Sequence, residues 1–86
     1  MPTVRIYTKK PCPYCDQAKQ LLRQLSIPFE ETDLTGRYDE LAALVQKTGL
    51  KTVPQIFFGE RFIGGFDDLS ALHQQQDLRN LLGLDS

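Results

Sequence analysis

Val4, Ile6 and Thr8 alternate with Arg5 and Tyr7, the period-two pattern of a strand with one buried face, over about residues 3–8. Lys9-Lys10-Pro11 closes that run. From Pro13 the period becomes helical: Ala18, Leu21, Leu22 and Leu25 share a face, while Asp16, Lys19, Gln20 and Arg23 lie elsewhere. Pro13 suits the first helical position, where its fixed φ fits and its missing N–H would lack a partner anyway. A Ser26-Ile27-Pro28 turn leads to a second short strand, about Phe29 to Asp33, and Leu34-Thr35-Gly36 is loop. A second helix is predicted from about Tyr38 to Thr48, with Leu41, Leu44 and Val45 inward and Gly49 as its stop. Pro54 to Phe58 is apolar and aromatic, Gly59-Glu60 is a two-residue turn, and Arg61 to Gly64 returns. That is a hairpin, and Gly at the first turn position points to type II′. Asp67-Asp68 opens a third helix through Leu69 and Leu72, and Asp77 a last one through Leu78, Leu81 and Leu82.

The order is β-α-β-α-β-β-α plus a terminal helix. A leading strand–helix–strand unit implies two parallel strands joined by a right-handed crossover. The hairpin adds antiparallel pairing, so the expected class is α/β: a mixed four-stranded sheet with helices on both faces. No linker, repeat or low-complexity segment interrupts residues 1–86, which read as a single domain.

Composition narrows the function classes. A chain of 86 residues buries roughly 60–65% of its unfolded surface, enough to fold without a metal or a structural disulfide. Net charge −1 argues against non-specific binding to nucleic acid or to an anionic membrane. No apolar stretch approaches the roughly 20 residues of a membrane span. Met1-Pro2-Thr3-Val4-Arg5 has no apolar signal core, so a cytoplasmic setting is expected. A monomer is expected. Only two cysteines occur, three apart, too few for a disulfide scaffold. A zinc site wants four ligands and His73 is the sole histidine, so no metal is expected. Reversible redox chemistry is favoured, against the alternative of two buried cysteines acting as small hydrophobes.

Cys12 falls where the first strand ends and the first helix begins. Disulfide exchange is driven by the thiolate, and free cysteine has a pKa near about 8.5. Unpaired N–H groups and the dipole at a helix start can lower it to about 3.5–7.5. Lys9 and Lys10 add positive potential, screened by salt. Cys15, one turn further in, is expected to be more buried and more often protonated. Cys12 therefore attacks and Cys15 resolves.

Cys12-Pro13-Tyr14-Cys15, Thr52-Val53-Pro54 and Gly64-Gly65-Phe66-Asp67-Asp68 together closely resemble the glutaredoxins, at the family's spacing and over essentially the whole chain. The resemblance implies a thioredoxin fold and glutathione-dependent reduction of protein–glutathione mixed disulfides and protein disulfides. Glutathione enters as co-substrate, with no tightly bound cofactor. The resemblance also implies a cis bond before Pro54 and a Val53 backbone that pairs with an extended cysteinyl peptide. The γ-glutamyl end of glutathione is expected at Gly65, Phe66 and Asp67, its α-carboxylate on helix N–H groups and its ammonium on Asp67. Lys9 and Lys51 are expected near the glycyl carboxylate, Tyr14 is expected to flank the exchange, and Thr52 to line the groove with Val53 and Pro54. Asp67 and Asp68 also read as plain helix caps, Pro54 as an edge-strand opener and His73 as a surface histidine. Phe57, Phe58 and Phe62 read as hairpin residues filling the core or covering one face. Pro11 is a departure that removes an N–H before the nucleophile. Phe66 stands where some relatives carry a third cysteine.

Expected partners are glutathionylated or disulfide-bearing proteins, with ribonucleotide reductase and related reductases as family-level candidates. Two competing roles are an iron–sulfur carrier and a donor reduced by thioredoxin reductase. The first typically has one cysteine followed by Gly-Phe-Ser, which is missing here.

Overall fold

In a computed structural model, which describes residues 3–84, the eight expected elements form in the expected order. They are β1 (Val4–Thr8), α1 (Pro13–Gln24), β2 (Phe29–Asp33), α2 (Tyr38–Thr48), β3 (Gln55–Phe58), β4 (Arg61–Gly64), α3 (Phe66–Gln76) and α4 (Leu78–Leu81). The sheet runs β2-β1-β3-β4. β1 pairs parallel with β2 and antiparallel with β3, and β3 pairs antiparallel with β4. The hairpin turn has Gly59 at φ 60 while Glu60 stays out of the positive-φ region, as type II′ requires.

The alternation in β1 becomes two unequal faces. Val4, Ile6, Ile56 and Phe58 meet Ala18 and Leu22 of α1, Leu69 of α3 and Leu78 of α4 in the main core. On the opposite face Phe57 packs edge-on to Tyr7, with centroids 5.7 Å apart, and against Phe62 at 5.1 Å. The Lys47 ammonium lies 5.6 Å from the Phe57 ring centroid, which puts α2 on this second face. Leu41, Leu44 and Val45 are only half-buried there, so α2 covers the aromatic face without a dry core of its own.

His73 departs from the expected surface role. It is half-buried, and its Nδ1 accepts a hydrogen bond from the Leu78 N–H at 3.2 Å, joining α3 to α4. Arg79 donates to the Leu25 and Ser26 carbonyls at 2.7 and 3.0 Å, satisfying acceptors that α1 leaves open at its end. No described helix is long and apolar enough to cross a membrane. The end of β1, the start of α1, the loop before β3 and the start of α3 meet around Cys12.

Candidate active site

Cys12 is the N-cap of α1, in extended conformation (φ −154, ψ 96), with Pro13 as the first helical residue. The helix bonding begins with the Asp16 N–H on the Cys12 carbonyl at 3.2 Å. That geometry turns the Cys15 N–H onto Cys12 Sγ, 3.0 Å away. An amide aimed at sulfur, at the positive end of a twelve-residue helix, favours a negative charge on that atom. The sulfurs of Cys12 and Cys15 are joined in a disulfide, with Cα atoms 5.2 Å apart. Cys12 is half-exposed whereas Cys15 is only 2% exposed, so an incoming group meets Cys12.

Beside the disulfide lies a groove of about 370 Å³. It is lined by Tyr14 from α1, by Thr52, Val53 and Pro54 from the loop before β3, and by Gly65, Phe66 and Asp67 from the start of α3. The Tyr14 ring, on a side chain 58% exposed overall, stacks on Phe66 at 6.4 Å between centroids. The Val53 carbonyl oxygen lies 3.6 Å from Cys12 Sγ, which as a disulfide sulfur has no proton to donate. The Val53 N–H has no partner among the described residues. The Val53–Pro54 bond is cis, and so is Lys10–Pro11.

The two aspartates divide their work. Asp68 accepts the Gly65 N–H at 3.0 Å and caps α3, while the exposed Asp67 carboxylate has no partner among the described residues. The demand for glycine falls on Gly64, at φ 122, because a Cβ there would run into the Asp68 side chain. At Gly65 a Cβ would sit 3.6 Å from the Pro54 carbonyl, an ordinary contact. Lys9 lines a separate groove that also holds Cys12 and Cys15, and the exposed Lys51 lines neither groove.

Comparison with known proteins agrees with this arrangement. The glutaredoxin family model matches residues 4–63. This chain belongs to the glutaredoxin family. A glutaredoxin of Pseudomonas aeruginosa is 48% identical over 82 residues, covering 95% of this chain and 98% of its own. Glutaredoxin 3 of Escherichia coli is 43% identical, covering 95% of this chain and 99% of its own. The crystal structure of a buckwheat glutaredoxin–glutathione complex superposes with TM-score 0.83 at 31% identity, over 95% of this chain and 77% of that one. The family carries thiol–disulfide oxidoreductase chemistry, and the Cys12–Cys15 pair supplies the redox-active disulfide for it.

Two features of this glutaredoxin escaped the sequence reading. Gln55, fully buried, donates from Nε2 to the Leu50 and Thr52 carbonyls at 2.7 and 3.1 Å. Its Oε1 lies 2.8 Å from the Thr48 hydroxyl. The one available signal was a polar residue inside an apolar run. The second feature is Glu31, which accepts from the Thr8 hydroxyl at 2.8 Å and from Lys19 at 3.0 Å in the groove that holds Cys15. Burial pushes the Glu31 carboxyl up, but the Thr8 and Lys19 hydrogen bonds and the Lys19 charge outweigh it and hold the group below its ordinary range. Across the same end of the sheet, the Thr35 hydroxyl and N–H, with Lys10 beside them, hold Asp33 below its ordinary range.

Proposed function

We propose that the chain reduces protein–glutathione mixed disulfides and protein disulfides at the expense of glutathione, with Cys12 as nucleophile and Cys15 as the resolving thiol. The carrying observation is the asymmetry of the pair: the Cys15 N–H points at the half-exposed Cys12 sulfur, while Cys15 itself is sealed. In the reduced protein the Cys12 thiolate attacks the glutathione sulfur of a mixed disulfide. The Cys12–glutathione bond forms, the old disulfide breaks, and the target leaves as a thiolate that takes a proton from water. A second glutathione thiolate then attacks the glutathione sulfur on Cys12, releasing glutathione disulfide and restoring the Cys12 thiolate. With a protein disulfide, Cys12 first binds one target sulfur and Cys15 displaces it, leaving the Cys12–Cys15 disulfide for two glutathione molecules to reduce.

The groove supports glutathione as the reductant. The Val53 N–H and C=O suit the cysteinyl backbone, and the start of α3 offers N–H groups for the γ-glutamyl carboxylate. Asp67, without a protein partner among the described residues, suits the ammonium. The relative solved with glutathione is consistent with that choice. Lys9, beside Cys12, suits the glycyl carboxylate better than Lys51 does. Targets of this activity are glutathionylated or disulfide-bearing proteins in a reducing, cytoplasmic setting, where glutathione is held as the thiol. The test pairs Cys12→Ser with Cys15→Ser. The first loses all activity; the second keeps deglutathionylation of a peptide and loses reduction of a protein disulfide. A Cys12→Ser protein still active on the glutathionylated peptide would show that another atom is the nucleophile.

A further inference from the structure

Gln55 begins β3 directly after Pro54, yet its side chain turns back to hold the loop that precedes it. Both amide protons are engaged, on Leu50 and Thr52, and the amide oxygen faces the Thr48 hydroxyl at the end of α2. The opposite amide orientation would set an oxygen against two carbonyls, so these partners fix it. The consequence passes through one peptide plane. Among the described residues only Lys10–Pro11 and Val53–Pro54 are cis, so the Thr52–Val53 peptide is trans. In a trans peptide the carbonyl and the N–H point in opposite directions. A Thr52 carbonyl held inward by Gln55 therefore turns the Val53 N–H away from the interior, on a residue that lines the groove and whose N–H has no protein partner among the described residues.

We propose that Gln55 is a positioning residue for the redox reaction: through the Thr52 carbonyl it aims the Val53 N–H at the backbone of the incoming cysteinyl or glutathionyl group. The inference rests on the glutathione-dependent activity proposed above. Gln55→Met removes the amide's hydrogen bonds at nearly constant volume. The expected result is a KM for a glutathionylated peptide about three- to tenfold higher, the value of one substrate hydrogen bond, with kcat within about twofold. Alkylation of Cys12 by iodoacetamide, which needs no backbone docking, keeps its wild-type rate. If Gln55→Met does not fold, Thr48→Val, which removes the hydroxyl that lies between the Gln55 amide oxygen, the Leu44 carbonyl and the Leu50 N–H and so loosens the amide at both ends, gives the same split, and Thr48→Ser, which keeps the hydroxyl, restores the wild-type KM. A lowered melting temperature with an unchanged KM would overturn the inference and leave Gln55 a structural residue, as would a fall in kcat at constant KM. A wild type that used a simple monothiol as well as glutathione would overturn the glutathione reading and this inference with it. A wild type that required glutathione, beside variants of unchanged KM, would overturn the inference alone.

Discussion

Gly64 and Gly65 are neighbours in one motif, yet alanine should affect them very differently. At Gly64 the backbone is at φ 122, which L side chains rarely adopt, and holding a Cβ there costs of order 1–3 kcal/mol. The added methyl also displaces the Asp68 side chain, which accepts the Gly65 N–H at 3.0 Å, and loss of that cap costs about another 1 kcal/mol. Gly64→Ala should therefore lose about 2–4 kcal/mol, a fall in Tm of roughly 10–30 °C for a domain this size. At Gly65, φ is −92 and the nearest atom to a new Cβ is 3.6 Å away. The poorer cap and the stiffer unfolded chain there each amount to about 0.5–1 kcal/mol with opposite signs. Gly65→Ala should stay within about 1 kcal/mol of wild type. Urea denaturation followed by circular dichroism, with unchanged m-values, measures both. Equal losses at the two positions would refute the assignment of the strained site to Gly64.

The adjacent aspartates give a second contrast. Asp67→Asn should raise KM for glutathione while costing only about 0.3–0.5 kcal/mol through the helix dipole, whereas Asp68→Ala should lose about 1 kcal/mol or more of stability by urea denaturation. Acidification gives a third test. The folded-state pKa of Glu31 lies below its ordinary 4.5, so its contribution to stability is present above pH 4.5 and is lost as pH falls through the folded value. Wild type should therefore exceed Glu31→Gln in stability at neutral pH, and the gap should close on acidification in a pH series of melting curves.

Elements with strong periodicity were legible: the alternation at Val4–Thr8, the apolar stripe of α1 and the Gly59-Glu60 turn appear where the sequence put them. So was the meeting of Cys12, Tyr14, Val53, Pro54 and Asp67, because three motifs at fixed spacing carried the family resemblance. What stayed hidden depended on three-dimensional partners. His73 looks like any surface histidine until the chain bends at Asp77 and brings the Leu78 N–H to its ring. Gln55 looks like an interruption in an apolar strand until the preceding loop folds over it. Asp67 and Asp68 are interchangeable as letters and are told apart only by which of them reaches the Gly65 N–H.

The strand order leaves β2 and β4 with open flanks. Exposed ladders of this kind invite foreign chains to stack onto them, the first step toward fibres. β2 bears Glu30, Glu31 and Asp33 within five residues, and β4 is four residues long with a register slip opposite Ile56 and Phe57. Like charges repel a copy of the first flank, and the second is too short and irregular to template one. Crowded copies of this molecule should thus stay apart at their sheet borders.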